Sequence, residues 1–433
     1  MLNKFTDDAA RAAAVKLTTE SGVDLIESSN EVVVDGANVI VGNPKVGDIL
    51  VLDESNKKRY IALDTYKAAV FPAAWTIVGV VAYRQGNKII VVHKQNAARK
   101  WSEVFRWYLT GSTMTDGKSH TQNFTFNSVS VSVTWRASTL SAFATALNGA
   151  ISGQDFGGHS LYAYYDGDED KVFVIWDTYN TWKEPSMSGI SFNRYIGTEI
   201  ETVSNIYGLN GTGGEYKGIN FARYKAAVKN SSSSTFNPTT PITSLGTYPL
   251  SYASYSSNIG AYARNIYGEG EDAYDAYLAD YMVRYPSQRG ALKESLRDGK
   301  ANTYSLVGKT YPASDGTEKL LYPAAEYCAA VGYNANGLAV GSWYLPSMYE
   351  IIAIWSKLTY GLSGVTRAAA DAVNRSLNAI GGSAISCAGY AWSSCRCSTV
   401  GAWRFSGYGC TASGYSFYNA LAAVPCVLLD VSD

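Results

Sequence analysis

Short runs of apolar or alternating residues, separated by Gly, Asn and Asp, follow one another over the first part of the chain. The runs at 31–34, 48–52 and 75–81 predict β-strands, because a half-buried strand alternates apolar and polar positions and Gly, Asn and Asp favour turns. Helical spacing predicts an arm over 7–18 and a connecting helix over 99–108. Residues 1–110 are therefore predicted to form a β-rich N-terminal domain.

The pattern changes after residue 111 and predicts a second unit. Alternation over 123–136 indicates strand, apolar spacing over 139–151 indicates a helix, and 161–177 is typical of a hairpin that turns at 166–168. Glycines at 208–218 and serines and prolines at 231–241 are typical of a linker. Residues 111–235 are predicted to form a small α+β domain with a Gly/Ser-rich linker.

The third unit, residues 236–433, is predicted to contain helices over 273–285, 323–331, 347–358 and 364–380. Ser347 is placed as the N-cap of one of them, and Glu350 completes a capping box three residues later. An apolar strand over 424–429 is expected to be buried in a sheet. The fold class predicted for the whole chain is α+β and multidomain.

Composition narrows the function classes. The 433 residues hold 36 Lys and Arg against 37 Asp and Glu, so the net charge of −1 argues against nucleic acid or an anionic membrane as partner. Charged residues make up 17%, below the usual ~25%, and Tyr is abundant at 33, which suits protein or sugar recognition. The first residues lack the pattern of a secretory signal peptide, so we expect the protein to stay in the cytoplasm where it is made or to leave it by another route.

Catalytic and cofactor motifs are weak. The Gly-Lys-Thr at 308–310 lacks the upstream glycine of a phosphate-binding loop, and the three histidines (His93, His120, His159) lie away from the cysteine-bearing region, so we expect neither nucleotide nor zinc. A calcium ion at Asp166, Asp168, Glu169 and Asp170 stays an alternative, but a solvated hairpin tip is favoured because the twelve-residue loop is missing. No cofactor is predicted, and an enzyme is the less favoured interpretation.

Four landmarks near the end of the chain occur in a distinctive order. Residues 343–347 are Trp-Tyr-Leu-Pro-Ser, 392–394 are Trp-Ser-Ser, Trp403 follows, and 424–429 form the apolar closing segment. This series resembles the C-terminal part of C-type-lectin-like domains of the formylglycine-generating-enzyme type, over roughly residues 300–433. The resemblance implies a lectin-like fold for 236–433. The basic residue usual in the closing strand of these domains is absent here.

A second resemblance concerns residues 394–423, which contain no Lys, Glu, Gln, Met, Asp, His, Pro or Ile. Asn-type codons with randomised adenines cannot encode Lys, Glu, Gln, Met or Trp, so the segment resembles the variable region of a diversity-generating-retroelement target protein, with Trp403 fixed. A Gly/Ser/Tyr loop of no special origin is the alternative. The resemblance implies a fixed scaffold of Trp343, Pro346, Trp392, Trp403 and Phe405, and these variable, ligand-facing side chains: Cys395, Cys397, Ser398, Gly401, Arg404, Ser406, Tyr408, Cys410, Ser413, Tyr415, Ser416, Tyr418 and Asn419.

Proteins of this kind include bacteriophage tail-fibre and tail-tip adhesins. The resemblance implies a homotrimeric receptor-binding protein of the virion, with residues 1–110 attaching to other virion proteins and the variable surface binding a host cell-surface protein or glycan. Two alternatives stay open. One is a structural virion protein of capsid or tail. The other is an enzyme of the formylglycine-generating kind, which would need Cys395 and Cys397 as a reactive pair.

Overall fold

The computed structural model describes residues 31–34, 37–40, 44–176, 184–195, 200, 215–216, 219–220, 298–358, 370–385, 389–398, 401–406 and 411–431. These residues form a mixed α/β structure that is rich in strands, which confirms the coarse fold class. None of the described helices is both long and apolar enough to cross a membrane. The helices predicted at 7–18 and 273–285 and the linker at 231–241 lie outside the described residues, as does most of the linker at 208–218.

Strands dominate the described chain. In order they are β1 Glu31–Val34, β2 Ala37–Ile40, β3 Ile49–Leu52, β4 Lys58–Ile61, β5 Thr76–Gln85, β6 Lys88–His93, β7 Ala97–Lys100, β8 Phe105–Thr110, β9 Ser119–Phe126, β10 Val129–Arg136, β11 Leu161–Asp166, β12 Lys171–Trp176, β13 Ser186–Met187, β14 Ser191–Tyr195, β15 Glu215–Tyr216, β16 Ile219–Asn220, β17 Thr310–Pro312, β18 Glu318–Leu320, β19 Tyr390–Arg396, β20 Gly401–Ser406, β21 Thr411–Ser416, β22 Ala420–Ala423 and β23 Cys426–Asp430.

The helices begin at recognisable caps. In order they are α1 Leu63–Ala68, α2 Leu140–Ile151, α3 Gly299–Leu306, α4 Pro323–Ala329, α5 Met348–Leu358 and α6 Ala370–Ala379. Thr139 caps α2 by accepting a hydrogen bond from the Ala142 amide at 3.2 Å, and Pro323 opens α4, where a missing N–H costs nothing. The predicted helices at 139–151, 323–331 and 347–358 are confirmed.

The capping box predicted for α5 is present and buried. The Glu350 amide donates to Ser347 Oγ at 3.3 Å, and the Ser347 amide donates back to Glu350 Oε2 at 2.8 Å. The same carboxylate also accepts from the Gly299 amide at 3.1 Å and from the Tyr344 hydroxyl at 2.8 Å. Glu350 therefore joins the first turns of α3 and α5, where the positive ends of both helices favour a carboxylate.

The largest sheet crosses the predicted domain boundaries. Its order is β1-β2-β4-β3-β5-β6-β23, so the C-terminal strand β23 pairs antiparallel with β6, with Val427 opposite Val91. The C-terminal strand expected at 424–429 is thus confirmed as part of a sheet. The prediction that 1–110 and 236–433 fold as separate domains is wrong for the described residues, because their strands are hydrogen-bonded to each other.

A five-stranded sheet of order β21-β20-β19-β22-β7 also combines strands from the first and the last part of the chain. Strand β7 pairs antiparallel with β22, and β19 pairs with β22 in parallel through Ala391 and Ala422. Helix α5 contacts both sheets, and a single apolar core contains residues from β3, β5 and β6, from α5 and α6, and from β19 and β20. Residues 44–100 and 298–431 therefore share one core.

An inserted unit spans β8 to β14. Strands β11-β12-β8-β14 form one sheet and β10-β9-β13 another, with α2 packed on them around a core that includes Trp107, Phe126, Phe143 and Trp176. The helix predicted over 99–108 is wrong: the chain forms β7 and β8 there, because Trp107 and Leu109 enter this core while Arg106 and Tyr108 occupy the opposite face. The α+β unit accordingly begins at residue 105, not at 111.

Candidate functional site

Strands β19, β20 and β21 form a sheet segment whose two faces differ. Trp403 and Phe405 on β20 point into the core beneath α5. Arg404, between them, points to the opposite face, together with Ser413 and Tyr415, which are in register with Arg404 and Ala402. Since paired residues of antiparallel strands share a face, this outer face collects side chains from all three strands.

A stack of three side chains occupies the outer face. The Arg404 guanidinium carbon lies 3.9 Å from the centroid of the Tyr390 ring and 3.6 Å from that of Tyr415. The two rings are nearly parallel, at 17°, and Tyr390 is 43% exposed. This set of Tyr390, Arg404 and Tyr415 is called the tyrosine–arginine stack below.

Among the described residues, the edge of the guanidinium contacts only Ser413, whereas both of its flat faces are covered by rings. Arg404 Nε donates to Ser413 Oγ at 3.1 Å, which fixes the plane of the group. Its terminal nitrogens donate to no protein group among the described residues. A guanidinium held in this way offers a rigid fork of N–H donors, which matches the oxygens of a carboxylate or other planar acceptor.

The five residues predicted as scaffold are all buried. The Trp343 indole donates to Leu338 O at 3.1 Å, Pro346 O accepts from the Ser394 amide at 2.8 Å, and the Trp392 indole donates to Arg99 O at 2.9 Å. Trp403 and Phe405 lie in the core described above. The bonds of Pro346 and Trp392 hold β19 to the turn before α5 and to β7, and the burial of Trp403 and Phe405 holds β20 against the core.

The serines of the Trp-Ser-Ser segment are buried and hydrogen-bonded. Ser393 Oγ donates to Trp403 O at 2.8 Å, and Ser393 O accepts from the Trp101 indole at 2.9 Å. Ser394 Oγ accepts from Asn302 Nδ2 at 3.0 Å. The segment thus has a structural role in tying β19 to β20, β7 and α3.

Cys395 does not face outward, so its prediction as a ligand-facing residue is wrong. It is fully buried in the core, and its sulfur accepts a hydrogen bond from the Met348 amide at 3.1 Å. Burial raises the pKa of this thiol to about 12, and burial also raises the pKa of Cys397. A reactive cysteine needs the opposite shift, since the thiolate is the nucleophile.

Gly401 is also wrongly predicted as a variable position. A Cβ at this residue would lie 2.6 Å from Tyr415 O and 3.2 Å from Cys397 Sγ. Cys397 fills the space between Gly401 and Gly414, whose own Cβ would lie 2.7 Å from the same sulfur. On the same inner face, Ser416 is in register with Gly401 and its hydroxyl oxygen is buried, so its predicted outward position is wrong too.

The other predicted variable residues lie at turns, at the end of β20 or outside the described residues. Ser398 starts the turn closed by Gly401, whose carbonyl accepts from the amides of residues 397 and 398. Tyr418 lies beneath the Lys100 ammonium, 4.8 Å from the ring centroid, and Asn419 Nδ2 donates to Ser416 O at 3.3 Å. Ser406 pairs in the backbone with Tyr390 and Thr411. Tyr408 and Cys410 lie outside the described residues.

Sequence reasoning missed Tyr390, which contributes the most exposed ring of the stack. Tyr390 precedes Trp392 by two residues, so alternation places both on the same face of β19. The signal was therefore present: an aromatic residue at the start of the strand, beyond the part that is covered by the rest of the fold.

The carboxylates of the acidic hairpin tip bond to other groups of the same hairpin. Asp166 Oδ1 accepts from the amides of Asp168 and Glu169 at 3.0 and 3.1 Å, and Glu169 pairs with Lys171 at 3.0 Å. Asp170 Oδ1 accepts from the Tyr165 hydroxyl at 2.9 Å. Within the described part of the chain, no group of three or more potential ligands is arranged to hold a metal ion.

The described geometry therefore offers a rigid, outward tyrosine–arginine stack as the main candidate for binding. Comparisons of the chain with protein-family models, with curated proteins and with solved structures found no match.

Proposed function

We propose that this chain is a bacteriophage receptor-binding adhesin whose C-terminal unit has a lectin-like fold and binds a host cell-surface protein or glycan. The observation that carries the proposal is the exposed tyrosine–arginine stack on a sheet whose reverse face is buried. Tyr and Arg are the residues that most often dominate binding energy at interfaces, because they combine large contact area with directed hydrogen bonds.

The support beneath the stack fits a diversified surface. Arg404, Ser413 and Tyr415 point away from the core beneath α5, and Arg404 and Ser413 are only partly buried, so these two can change identity at little folding cost. Tyr415 also packs against the neighbouring core around Trp392, so changes there are more restricted. Trp392, Trp403 and Phe405 hold the strands and are buried. The diversified set in this proposal is therefore narrower than the sequence predicts, because Cys395, Cys397, Gly401 and Ser416 face inward.

The lectin-like fold is proposed from the way the landmarks meet. The turn after Trp343 contacts the closing strand through paired hydrogen bonds of 3.0 Å between the backbones of Tyr344 and Cys426. Pro346 in the same turn accepts from the Ser394 amide of the Trp-Ser-Ser segment. Segments far apart in the chain are thus joined as in a single recognition domain. Homotrimeric assembly and attachment to other virion proteins belong to the same proposal.

Binding of the full-length protein to a panel of intact bacteria tests the adhesin function. We expect at least one strain to bind the protein and R404A to reduce that binding by about tenfold or more, as for an interface hot spot. The matched control is R375A, which removes an exposed arginine on α6, away from the stack. Equal binding by R404A and R375A, or no binding to any strain, would favour the structural virion alternative.

Sequencing related clones across codons 392–426 tests diversification separately. Substitutions should concentrate at 404, 413 and 415 and spare 395, 401 and 403. A near-copy of this segment in the flanking DNA, with adenines at the changed positions, is the expected template. Uniform or absent variation would contradict a diversified surface. It would say nothing about adhesion, which the bacterial binding experiment tests.

A further inference from the structure

A cavity of about 570 Å³ opens between β7, the β17–β18 hairpin and α4. This volume lies within the usual range for small-ligand sites. Its polar and aromatic lining includes Arg99, Glu103, Tyr311, Lys319, Glu326 and Tyr327. None of them belongs to residues 394–423.

Two tyrosines line this cavity, the partly exposed Tyr327 and the buried Tyr311. The Arg99 guanidinium carbon lies 4.9 Å from the centroid of the Tyr327 ring. Tyr311 is anchored in the core by its ring and is 7% exposed. Burial raises the pKa of Tyr311 to about 12 and also raises that of Tyr327, so both hydroxyls stay neutral and can donate as well as accept.

The charges around the cavity balance. Arg99 and Lys319 provide two cations, and Glu103 and Glu326 provide two anions. A charged ligand of either sign would meet two like charges, whereas a neutral polar ligand meets none. The cavity therefore favours an uncharged ligand with many hydrogen-bonding groups.

Several polar atoms at the cavity have bonding capacity left. Glu326 Oε1 accepts from the Gly308 amide at 2.6 Å and Glu103 Oε2 pairs with Lys100 at 3.0 Å, so each carboxylate retains one oxygen without a partner among the described residues. The Tyr311 and Tyr327 hydroxyls likewise have no hydrogen-bond partner there. Each remaining carboxylate oxygen can accept from a hydroxyl, and the guanidinium N–H groups can donate to hydroxyls.

We propose that this cavity binds a neutral sugar unit. A pyranose ring has an apolar C–H face that packs on an aromatic ring and a rim of hydroxyls that donate and accept. The partly exposed Tyr327 ring complements the apolar face, and the surrounding charged and hydroxyl groups complement the rim. The site is separate from the tyrosine–arginine stack and does not depend on diversification there. Arg99 is opposite Leu421, and β7 lies three strands from β20, or about 14 Å at the usual strand spacing. An invariant sugar site would thus lie on the same sheet as the variable surface.

Saturation-transfer NMR and calorimetry on the full-length protein test this site. The probes are the methyl glycosides of glucose, galactose, mannose and N-acetylglucosamine, with glucuronic acid and glucosamine as charged comparators. We expect at least one neutral glycoside to bind at or below about 10 mM and the charged sugars to bind more weakly. Binding by none of the neutral glycosides, or preferential binding of a charged sugar, would overturn the proposal.

Two substitutions test whether the sugar binds in this cavity. R99Q removes the guanidinium above Tyr327, and E326Q removes a charge while its amide oxygen can still accept from Gly308. Each should weaken sugar binding by about tenfold. The control E318Q changes an exposed carboxylate on the same hairpin and should have no effect. Unchanged binding by both R99Q and E326Q in proteins with wild-type circular dichroism would overturn the assignment. Loss of cell binding by R404A with sugar binding intact would keep the two proposals distinct.

Discussion

Two arginines of this protein are stacked on aromatic rings and have different surroundings. Arg106 in the inserted unit lies 4.9 Å from the Phe173 ring centroid and 5.1 Å from that of Tyr195, and it is 7% exposed. Arg404 lies closer to its two rings, yet its terminal nitrogens donate to no group among the described residues. Arg106 also donates to the Tyr164 hydroxyl at 3.2 Å, so part of its fork is used inside the fold.

The comparison shows that the stacking itself does not determine the role of an arginine. When the guanidinium is buried and its donors bond to protein groups, the stack stabilises the fold. When the edge faces outward, the same stack preorganises donors for another molecule. The open edge of Arg404 is the feature that makes it a candidate binding group.

The largest effect should come from removing the buried member of this pair. R106A leaves a cavity among Tyr164, Phe173 and Tyr195, and we expect a loss of about 3 kcal/mol in the free energy of unfolding. R404A should change the same quantity by no more than about 0.5 kcal/mol, because the side chain is partly exposed. Urea unfolding followed by fluorescence measures both. Similar losses for the two variants would contradict the conclusion that Arg106 stabilises the fold and Arg404 does not.

A smaller effect is expected from crowding the strand pair that carries the stack. G401A places a Cβ 2.6 Å from Tyr415 O, so β20 and β21 must separate, at a cost of about 2 kcal/mol. The separation also moves Tyr415 from Arg404, so cell binding should fall together with stability. The matched variant S413A, on the outer face, should keep the stability. A stable G401A protein would show that this position tolerates variation after all.

The smallest change concerns the buried carboxylate of Glu350. Burial raises its pKa above the usual 4.5, although hydrogen bonds from Ser347 and Tyr344 oppose the shift. The folded state therefore retains the proton to higher pH than the unfolded state, and the associated stability is present below pH 4.5 and is lost as pH rises through the folded pKa.

The variant E350Q should lack this pH dependence. At pH 7 we expect the free energy of unfolding of E350Q to differ from the wild-type value by only about 1 kcal/mol, because the amide oxygen of the glutamine still accepts from backbone amides. Unfolding measured from pH 4 to 8, with R404A as a control that keeps the slope, tests the assignment. An unchanged slope in E350Q would show that other groups carry the pH dependence.

Local elements could be predicted from the sequence because their signals are local. The helix at 139–151 follows from the spacing of Phe143, Leu147 and Ile151, and the start of α5 follows from Ser347 and Glu350. The hairpin at 161–177 follows from alternation around a short polar turn. Each of these depends on residues within a few positions of one another.

Long-range pairing could not be predicted in this way. Nothing near Val91 or Val427 indicates that they are opposite each other, so the exchange of strands between the two ends of the chain was missed. The candidate site was partly missed for a related reason. Both faces of β19 are covered, with Trp392 in one core and Cys395 in the other, so alternation along this strand does not distinguish buried from exposed residues.

The pairing of β22 and β23 with β7 and β6 has a consequence for biosynthesis. Strand β6 lacks its neighbour β23, and β7 lacks its neighbour β22, until residues 420–430 have emerged from the ribosome, long after residues 88–100 were made. Closing the molecule is therefore a late, non-local step. A polypeptide that stops within 394–423 exposes two unpaired strand edges, which invites aggregation and degradation. The topology thus makes assembly of both sheets depend on translation through residues 394–430.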